Sequence, residues 1–381
     1  MMRSVPIDTD RFTEIVIFPQ SSPAAAPILS SMETTQIHAS LASLLAQKPL
    51  SEHDSQAMFL ALLNGQLDEA QIGSLLSLLQ TMPPNAQTLT GAARAMRTHV
   101  AGIEYTIAPN EVLIDTCGTG GAPKSFNVST AAAIVAASVQ LPSDHQLKRI
   151  IVAKHGNRSR TGRGSAEVLM TLGVQVDAGP EIQAKCLADA GVCFCFAIHH
   201  HPAMKFAMGP RRSLGFPTIF NALGPLTNPA GADRQLIGVY DNALVEPMAQ
   251  TLASLGAKRA MVVHALDGLD ELTTTAPTRV MHIQAGQLRE ETIDAVDFGL
   301  PRTTLDQLQA SSVEHSAEII TDIFAGKPSP YADMVLLTTA GALIVAGACE
   351  GFAEGIELTR SAINSGQTKT TLDRLIEVSR G

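Results

Sequence analysis

Between residues 36 and about 101 the apolar positions recur at helical spacing. Ile37, Leu41, Leu44 and Leu45 form one stripe, and Ile72, Leu75, Leu76 and Leu79 form another. Ser51 stands three residues before Asp54, and Asp68 three before Gln71. At that spacing a cap side chain and its partner satisfy the free amides of a first helical turn. Pro83-Pro84 stops the third helix. The pattern predicts four short helices over residues 34–104, a unit too small to stand alone and therefore expected to dock on the rest. From residue 111 the texture changes to short apolar runs at 112–115, 150–153, 192–196, 236–240 and 260–264, alternating with Ala-rich helical stretches. This predicts a mainly parallel sheet in an α/β domain over residues 110–381. Open sheets of that kind bind ligands beyond the carboxyl ends of their strands. The Pro-rich stretch 210–228 breaks the alternation and offers a crossing back to the helical unit. Residues 1–33, rich in Ser, Ala and Pro between Pro19 and Pro27, read as a flexible extension.

Composition narrows the partners. With 45% hydrophobic and 17% charged residues in 381, and a mean hydropathy of +0.14, the chain is expected to pack rather than stay disordered. Lys+Arg 27 against Asp+Glu 36 gives a net charge of -9, which argues against nucleic acid and against anionic membrane surfaces. An anionic ligand must then meet a local concentration of donors. The apolar run at 15–18 is short and flanked by Asp8, Asp10 and Glu14, unlike a secretory segment, and no run of membrane-spanning length exists. The five cysteines (Cys117, Cys186, Cys193, Cys195, Cys349) form no CxxC pair and fit structural thiols in a reducing cytoplasm.

Three loops carry candidate chemistry, each directly after a predicted strand. In CGTGGAPKSFNVSTAAA, residues 117–133, Gly118, Gly120 and Gly121 allow a sharp turn and close backbone approach to a ligand. Ser129 and Thr130 stand where a helix begins and add donors for an anion. A diphosphate suits such a loop, although a plain tight turn has the same composition. No Gly-Lys-Ser/Thr follows, and Pro123 replaces the third glycine of a dinucleotide fingerprint. In AKHGNRSRTGRGS, residues 153–165, Lys154, Arg158, Arg160 and Arg163 crowd a glycine-rich loop with His155. A solvated basic loop is the alternative, but it would not need the glycines. In HALDGLDELTTTAPT, residues 264–278, Asp267, Asp270 and Glu271 offer hard oxygen ligands of the kind that hold Mg²⁺ jointly with phosphates. An acidic surface turn reads the same way in isolation. Three such loops at three strand ends together describe a diphosphate–metal site. By contrast, His199-His200-His201 lacks zinc-ligand spacing, and Cys193 and Cys195 alternate with phenylalanines as core residues do.

These motifs resemble those of the anthranilate phosphoribosyltransferases from about residue 34 to the end. The resemblance rests on Gly118 to Gly121 followed by Asn127 to Thr130, on Lys154 to Arg158, on Asp270-Glu271, and most specifically on HPAMKFAMGPRRSLGFPTIFNALGPLTNPA at 201–230. It implies a small helical domain, joined by part of 200–230, hinged to a larger α/β domain, the nucleoside phosphorylase/phosphoribosyltransferase-like arrangement. It also implies a homodimer formed through the helical domain. The glycines and Thr119 of the first loop, with Asn127, Ser129, Thr130 and Lys154, are then implied at phosphoribosyl diphosphate. Gly118, Asn157, His201 and Arg211 are implied at anthranilate, and Ser129, Asp270 and Glu271 around Mg²⁺. Arg211 is supported in kind by chemistry, since a planar guanidinium matches a carboxylate.

Two departures stand out. Ala122-Pro123-Lys124 replaces the Asp-Gly common after the first glycines and leaves the loop one residue shorter, and Arg160-Thr161-Gly162-Arg163 replaces a Ser-Ser pair. Both add cations, so phosphate or ribose contacts are expected to differ. The expected activity is transfer of phosphoribosyl to the amino group of anthranilate. Pentosyl transfer to another acceptor such as a nucleobase, and a non-catalytic binding relative, are the alternatives. The arylamine attacks as a neutral group, so positioning and electrostatics are expected to carry the rate rather than a strong base or a covalent nucleophile.

Overall fold

The computed structural model describes residues 32–123, 125–159 and 162–381 and the backbone of Val16 and Ile17. Lys124, Arg160, Thr161 and nearly all of the N-terminal extension lie outside the described residues.

Four helices open the described chain: α1 Thr34–Leu45, α2 Glu52–Leu63, α3 Glu69–Gln80 and α4 Ala86–Arg97. Their starts follow from the caps. Ser51 Oγ accepts the Asp54 amide at 3.1 Å, while Asp68 accepts the Gln71 amide at 2.8 Å and Gln71 returns an acceptor to the Asp68 amide at 3.0 Å. Ile37, Leu44, Ile72, Leu75 and Leu76 are buried as their spacing predicts. Leu45 is 71% exposed, so the first stripe is narrower than its periodicity implies.

An eight-stranded sheet follows, with β1 Val16–Ile17, β2 Glu111–Gly118, β3 Arg149–Gly156, β4 Val192–Phe196, β5 Arg234–Gly238, β6 Arg259–Ala265, β7 Thr278–Gln284 and β8 Gln287–Ile293. Their order across the sheet is β1-β8-β7-β6-β5-β2-β3-β4. Strands β2 to β6 run parallel. The pairs β6–β7, β7–β8 and β1–β8 are antiparallel. All five expected strands are present, with β5 starting at Arg234 rather than 236. The β7–β8 hairpin is absent from the apolar pattern; it turns through Ala285 and Gly286, both at positive φ.

Two cores sandwich this sheet. On one face Ile114, Leu236 and Val263 pack with helix α5, Val128–Ser138, and with the helix Pro330–Ala346. On the other, Cys117, Ile237 and Val262 pack with the helix Val245–Ser254 and with Met58, Leu75 and Leu76 of the helical unit. The helical unit therefore shares its core with the sheet instead of closing its own. Arg94 reinforces the join, donating to Glu52 at 2.7 Å and to the Ser254 carbonyl at 3.0 Å. The chain also returns to this unit: the helix Lys205–Leu214 lies against α2 and α3. That helix runs through Pro210, so the α/β alternation breaks before the proline that signals it. No helix among the described residues is long and apolar enough to cross a membrane.

Candidate active site

The site lies beyond the carboxyl ends of β2, β3 and β6. Gly120 and Gly121 take φ values of 63° and 103°, a region in which side chains are strained, and the loop turns there. The Thr119 amide donates to the Gly238 carbonyl at 2.9 Å, and Thr119 Oγ1 accepts the Tyr240 amide at 3.1 Å, which ties the loop to the end of β5. Asp270 lies directly beneath: a Cβ on Gly118 would stand 3.1 Å from its Oδ2, and a Cβ on Gly238 only 1.6 Å from its carbonyl oxygen. Gly238 is thus what lets the acidic turn approach the glycine loop.

Below the loop lies a small charged network whose centre, Asp115 and Lys154, is buried. Lys154, near the end of β3, donates from Nζ to the Thr116 carbonyl at 2.7 Å and to Ser129 Oγ at 3.1 Å. Asp115 on β2 accepts the His155 amide at 3.0 Å and Asn228 Nδ2 at 2.9 Å. Burial pushes the carboxyl groups of Asp115 and Asp270 upward. Burial, with the neighbouring Asp270 carboxylate, pushes Glu271 up to about 8, against the opposing pull of Lys154 and a hydrogen bond from the Ser129 backbone. Burial lowers Lys154, with Asp115 and Glu271 opposing it. Asp115 and Glu271 thus act on the buried Lys154 ammonium, while Asp270 and Glu271 remain partly exposed to the cavity.

A cavity of about 190 Å³ opens above Asp270 and Glu271. Gly120, Gly121, Asn127, Arg163, Ser312 and Ser316 are among its lining residues. Asn127 is held by Ser316, whose hydroxyl donates to Oδ1 at 2.8 Å and accepts the Asn127 amide at 3.2 Å. Arg163 donates to the Ala310 carbonyl at 2.8 Å and so closes the second loop against this wall. Thr130, expected as an anion donor, is turned inward: its hydroxyl is buried without a hydrogen-bond partner and its amide donates to the Asn127 carbonyl at 3.2 Å. Asp267 is exposed and caps its own turn through the Leu269 amide at 3.4 Å, so two of the three carboxylates of that motif face the site.

The residues expected at an aromatic acid have the following surroundings. His201 Nε2 lies 3.2 Å from His155 Nε2. The Arg211 guanidinium sits over the Phe220 ring at 5.1 Å, and Phe220 stacks edge-on against Phe59 of α2. Asn157 is exposed, with Oδ1 accepting the Arg158 amide at 2.8 Å. The histidine run diverges: His199 meets Asp177 at 3.1 Å, His200 meets the Ala101 carbonyl at 2.6 Å, and His201 meets His155. All five cysteines are buried thiols. Asp115, Asn228, Gly238 and the 310–316 wall do not stand out in the sequence. Asp115 has one signal there, an acid at the end of an apolar strand.

Family models match both units: a glycosyl transferase family helical bundle domain over residues 39–100 and a glycosyl transferase family a/b domain over residues 110–369. The anthranilate phosphoribosyltransferase of Thioalkalivibrio sulfidiphilus is 44% identical over 329 residues, which cover 86% of this chain and 94% of that one. The chain belongs to the anthranilate phosphoribosyltransferase family. Another anthranilate phosphoribosyltransferase, from Syntrophotalea carbinolica, is 40% identical over 359 residues, covering 90% of this chain and 99% of the relative. Among solved structures, the anthranilate phosphoribosyltransferase of Thermus thermophilus superposes with a TM-score of 0.81 at 34% identity, over 90% of this chain and 99% of that one. The Saccharomyces cerevisiae anthranilate phosphoribosyltransferase in complex with PRPP and Mg gives 0.81 at 26% identity, over 92% and 99%.

Proposed function

We propose that this chain transfers the phosphoribosyl group of phosphoribosyl diphosphate to the amino group of anthranilate, releasing diphosphate, as a step of tryptophan biosynthesis. The observation that carries this reading is the adjacent pair Asp270-Glu271, partly buried under the Gly118–Gly121 loop on the cavity wall, with the Lys154 ammonium acting on Glu271. Adjacent, largely desolvated carboxylates pushed toward their neutral forms call for a divalent cation, and their hard oxygens suit Mg²⁺. Asp270 and Glu271, with Ser129 beside Lys154, would hold it. Bound there, Mg²⁺ supplies neutralisation of the charge that develops on the departing diphosphate.

The chain's own residues do the positioning. The glycines and Thr119 of the first loop, with Asn127 and Ser129, bring backbone and side-chain donors to the phosphates, and Lys154 adds the enclosed positive charge. The inward Thr130 shapes the start of α5 instead of reaching the ligand. Arg163 stands where the departure from the family pattern places a cation at the cavity wall. Across the crevice His201, Asn157 and the Phe220-backed Arg211 receive anthranilate, with Gly118 at the boundary of the two ligands. Residues 34–104 and 110–381 act as the two units of this machine, with the helix Lys205–Leu214 returning to the first. Exposed Leu45, Phe206 and Met208 on the helical unit support a homodimer through that unit, and the five buried free thiols fit a reducing cytoplasm.

The test is diphosphate release with anthranilate and, separately, with nucleobases, at a series of Mg²⁺ concentrations. Anthranilate-dependent, Mg²⁺-dependent release is expected, lost in Asp270→Asn/Glu271→Gln with the circular dichroism spectrum retained. Release with a nucleobase alone, or an unchanged Mg²⁺ titration in the double variant, overturns the acceptor or the metal assignment respectively.

A further inference from the structure

The His155–His201 contact has a direction. His155 Nδ1 lies 3.1 Å from the Gly224 carbonyl oxygen, and a carbonyl only accepts, so the His155 proton is on Nδ1. Both rings are neutral at ordinary pH: burial and the neighbouring His201 and His200 hold His155 down at about 3, and burial with His200 holds His201 at about 4. A neutral ring carries one proton, so His155 Nε2 is a bare lone pair. It sits 3.2 Å from His201 Nε2, a hydrogen bond only if His201 carries its own proton there. His201 Nδ1 is then a bare lone pair too. No described residue hydrogen-bonds to it.

The arylamine must lose a proton as it attacks, because its nitrogen lone pair becomes the new bond to the ribose carbon. We infer that His201 Nδ1 accepts this proton, in a tautomer fixed by the chain Gly224 carbonyl, His155, His201. The balance is complete: the amine lone pair forms the N–C bond, the C–O bond to diphosphate breaks with its electron pair on oxygen, and one N–H proton moves to His201 Nδ1. The imidazolium returns it to solvent as products leave. A weak base suffices, since the ammonium formed on an aromatic ring is a far stronger acid than an alkylammonium. A ring held neutral has two further advantages: it stays an acceptor across the working pH range, and it does not compete with Arg211 for the carboxylate. His155 is a positioning residue, touching His201 and not the substrate.

This inference rests on anthranilate being the acceptor. His201→Gln keeps an N–H for His155 and loses the basic nitrogen; kcat should fall by about 100-fold, the low end for a proton-transfer residue, with both KM values within about threefold. His201→Asn likewise offers an amide acceptor without a base and should also be slow. His155→Asn keeps the donor to Gly224 but frees the His201 ring, and kcat should fall several-fold. Long-range ¹H–¹⁵N correlation on histidine-labelled wild-type protein reads the tautomers without any variant, and should show His201 protonated at Nε2 and bare at Nδ1. A proton on His201 Nδ1, or an undiminished kcat in a folded His201→Gln, overturns the relay. Wild-type protein without anthranilate-dependent diphosphate release would instead remove the functional reading beneath it.

Discussion

Lys154 Nζ lies 3.1 Å from Ser129 Oγ, and this one hydrogen bond joins the end of β3 to the first turn of α5 beside the buried ammonium. The same ammonium supports Asp115 and Glu271 electrostatically. Lys154→Met keeps the length and removes the charge. Because it strips the partner from buried carboxylates, it should destabilise the fold by about 3 kcal/mol or more. The loss in kcat/KM at saturating Mg²⁺ should be on the order of 10²- to 10³-fold, as for removal of a preorganised donor. Urea titration and steady-state kinetics read the two effects; wild-type values in both would remove Lys154 from the network.

Gly238 has no place at a ligand, yet its substitution should be among the most damaging. The new methyl of Gly238→Ala would meet the Asp270 backbone at 1.6 Å, so the acidic turn must move. Overpacking of this kind costs about 1–3 kcal/mol. The sharper expected outcome is a rise in the Mg²⁺ concentration needed for half-maximal activity. Wild-type Mg²⁺ dependence in the variant would show that the turn does not need the close approach.

Arg211, proposed at the acceptor, is held by the Phe220 ring and by no side-chain hydrogen bond from another described residue. Arg211→Ala should raise the KM for anthranilate by roughly 10- to 150-fold, equivalent to about 1.5–3 kcal/mol for a charge-assisted bond. The KM for phosphoribosyl diphosphate should stay nearly unchanged. Arg211→Lys should recover only part, because an ammonium lacks the planar fork and stacks less well. Equal weakening for both substrates would assign Arg211 a structural role.

The β7–β8 hairpin supplies a pH prediction. His282 Nε2 meets Glu291 Oε1 across β7 and β8 at 2.6 Å, and that hydrogen bond, with Arg289 adding to it, holds the Glu291 carboxyl down at about 2 against partial burial. A lowered folded-state value means that the contribution to stability is present above the ordinary range near 4.5 and lost as pH falls toward 2. Glu291→Gln should therefore flatten the dependence of the urea midpoint between those limits. An identical slope in the variant would contradict the pairing.

What can be read from sequence divides along physical lines. The helices of the first unit are legible because their caps are local, Ser51 with Asp54 and Asp68 with Gln71. The five parallel strands are legible because strands buried on both faces are continuous apolar runs. Strands β7 and β8 are not, because Arg279 with Glu290 and His282 with Glu291 stabilise them by charge pairing, visible only once the register is known. The three ligand loops can be found because glycines and charges cluster within each. Asn228 bonding Asp115, Ser316 bonding Asn127, and Gly224 orienting His155 cannot, because each unites residues at least 69 positions apart in the chain. The inward turn of Thr130 is equally hidden, since its helix start looks the same whichever way the hydroxyl points.

Strands β2 and β5 are neighbours in the sheet, but the chain leaves them in opposite directions, β2 toward β3 and β4, β5 toward β6 and the hairpin. Their following helices, α5 and Val245–Ser254, pack on opposite faces. The gap between the two diverging connections is a property of the winding, not of the residues that fill it. The location of the crevice and the composition of its rim are therefore separable. Arg163, at the cavity wall, can retune what the rim grips without displacing the place where it grips, and the same scaffold can be re-fitted for a different phosphate pattern by exchanging loop residues alone.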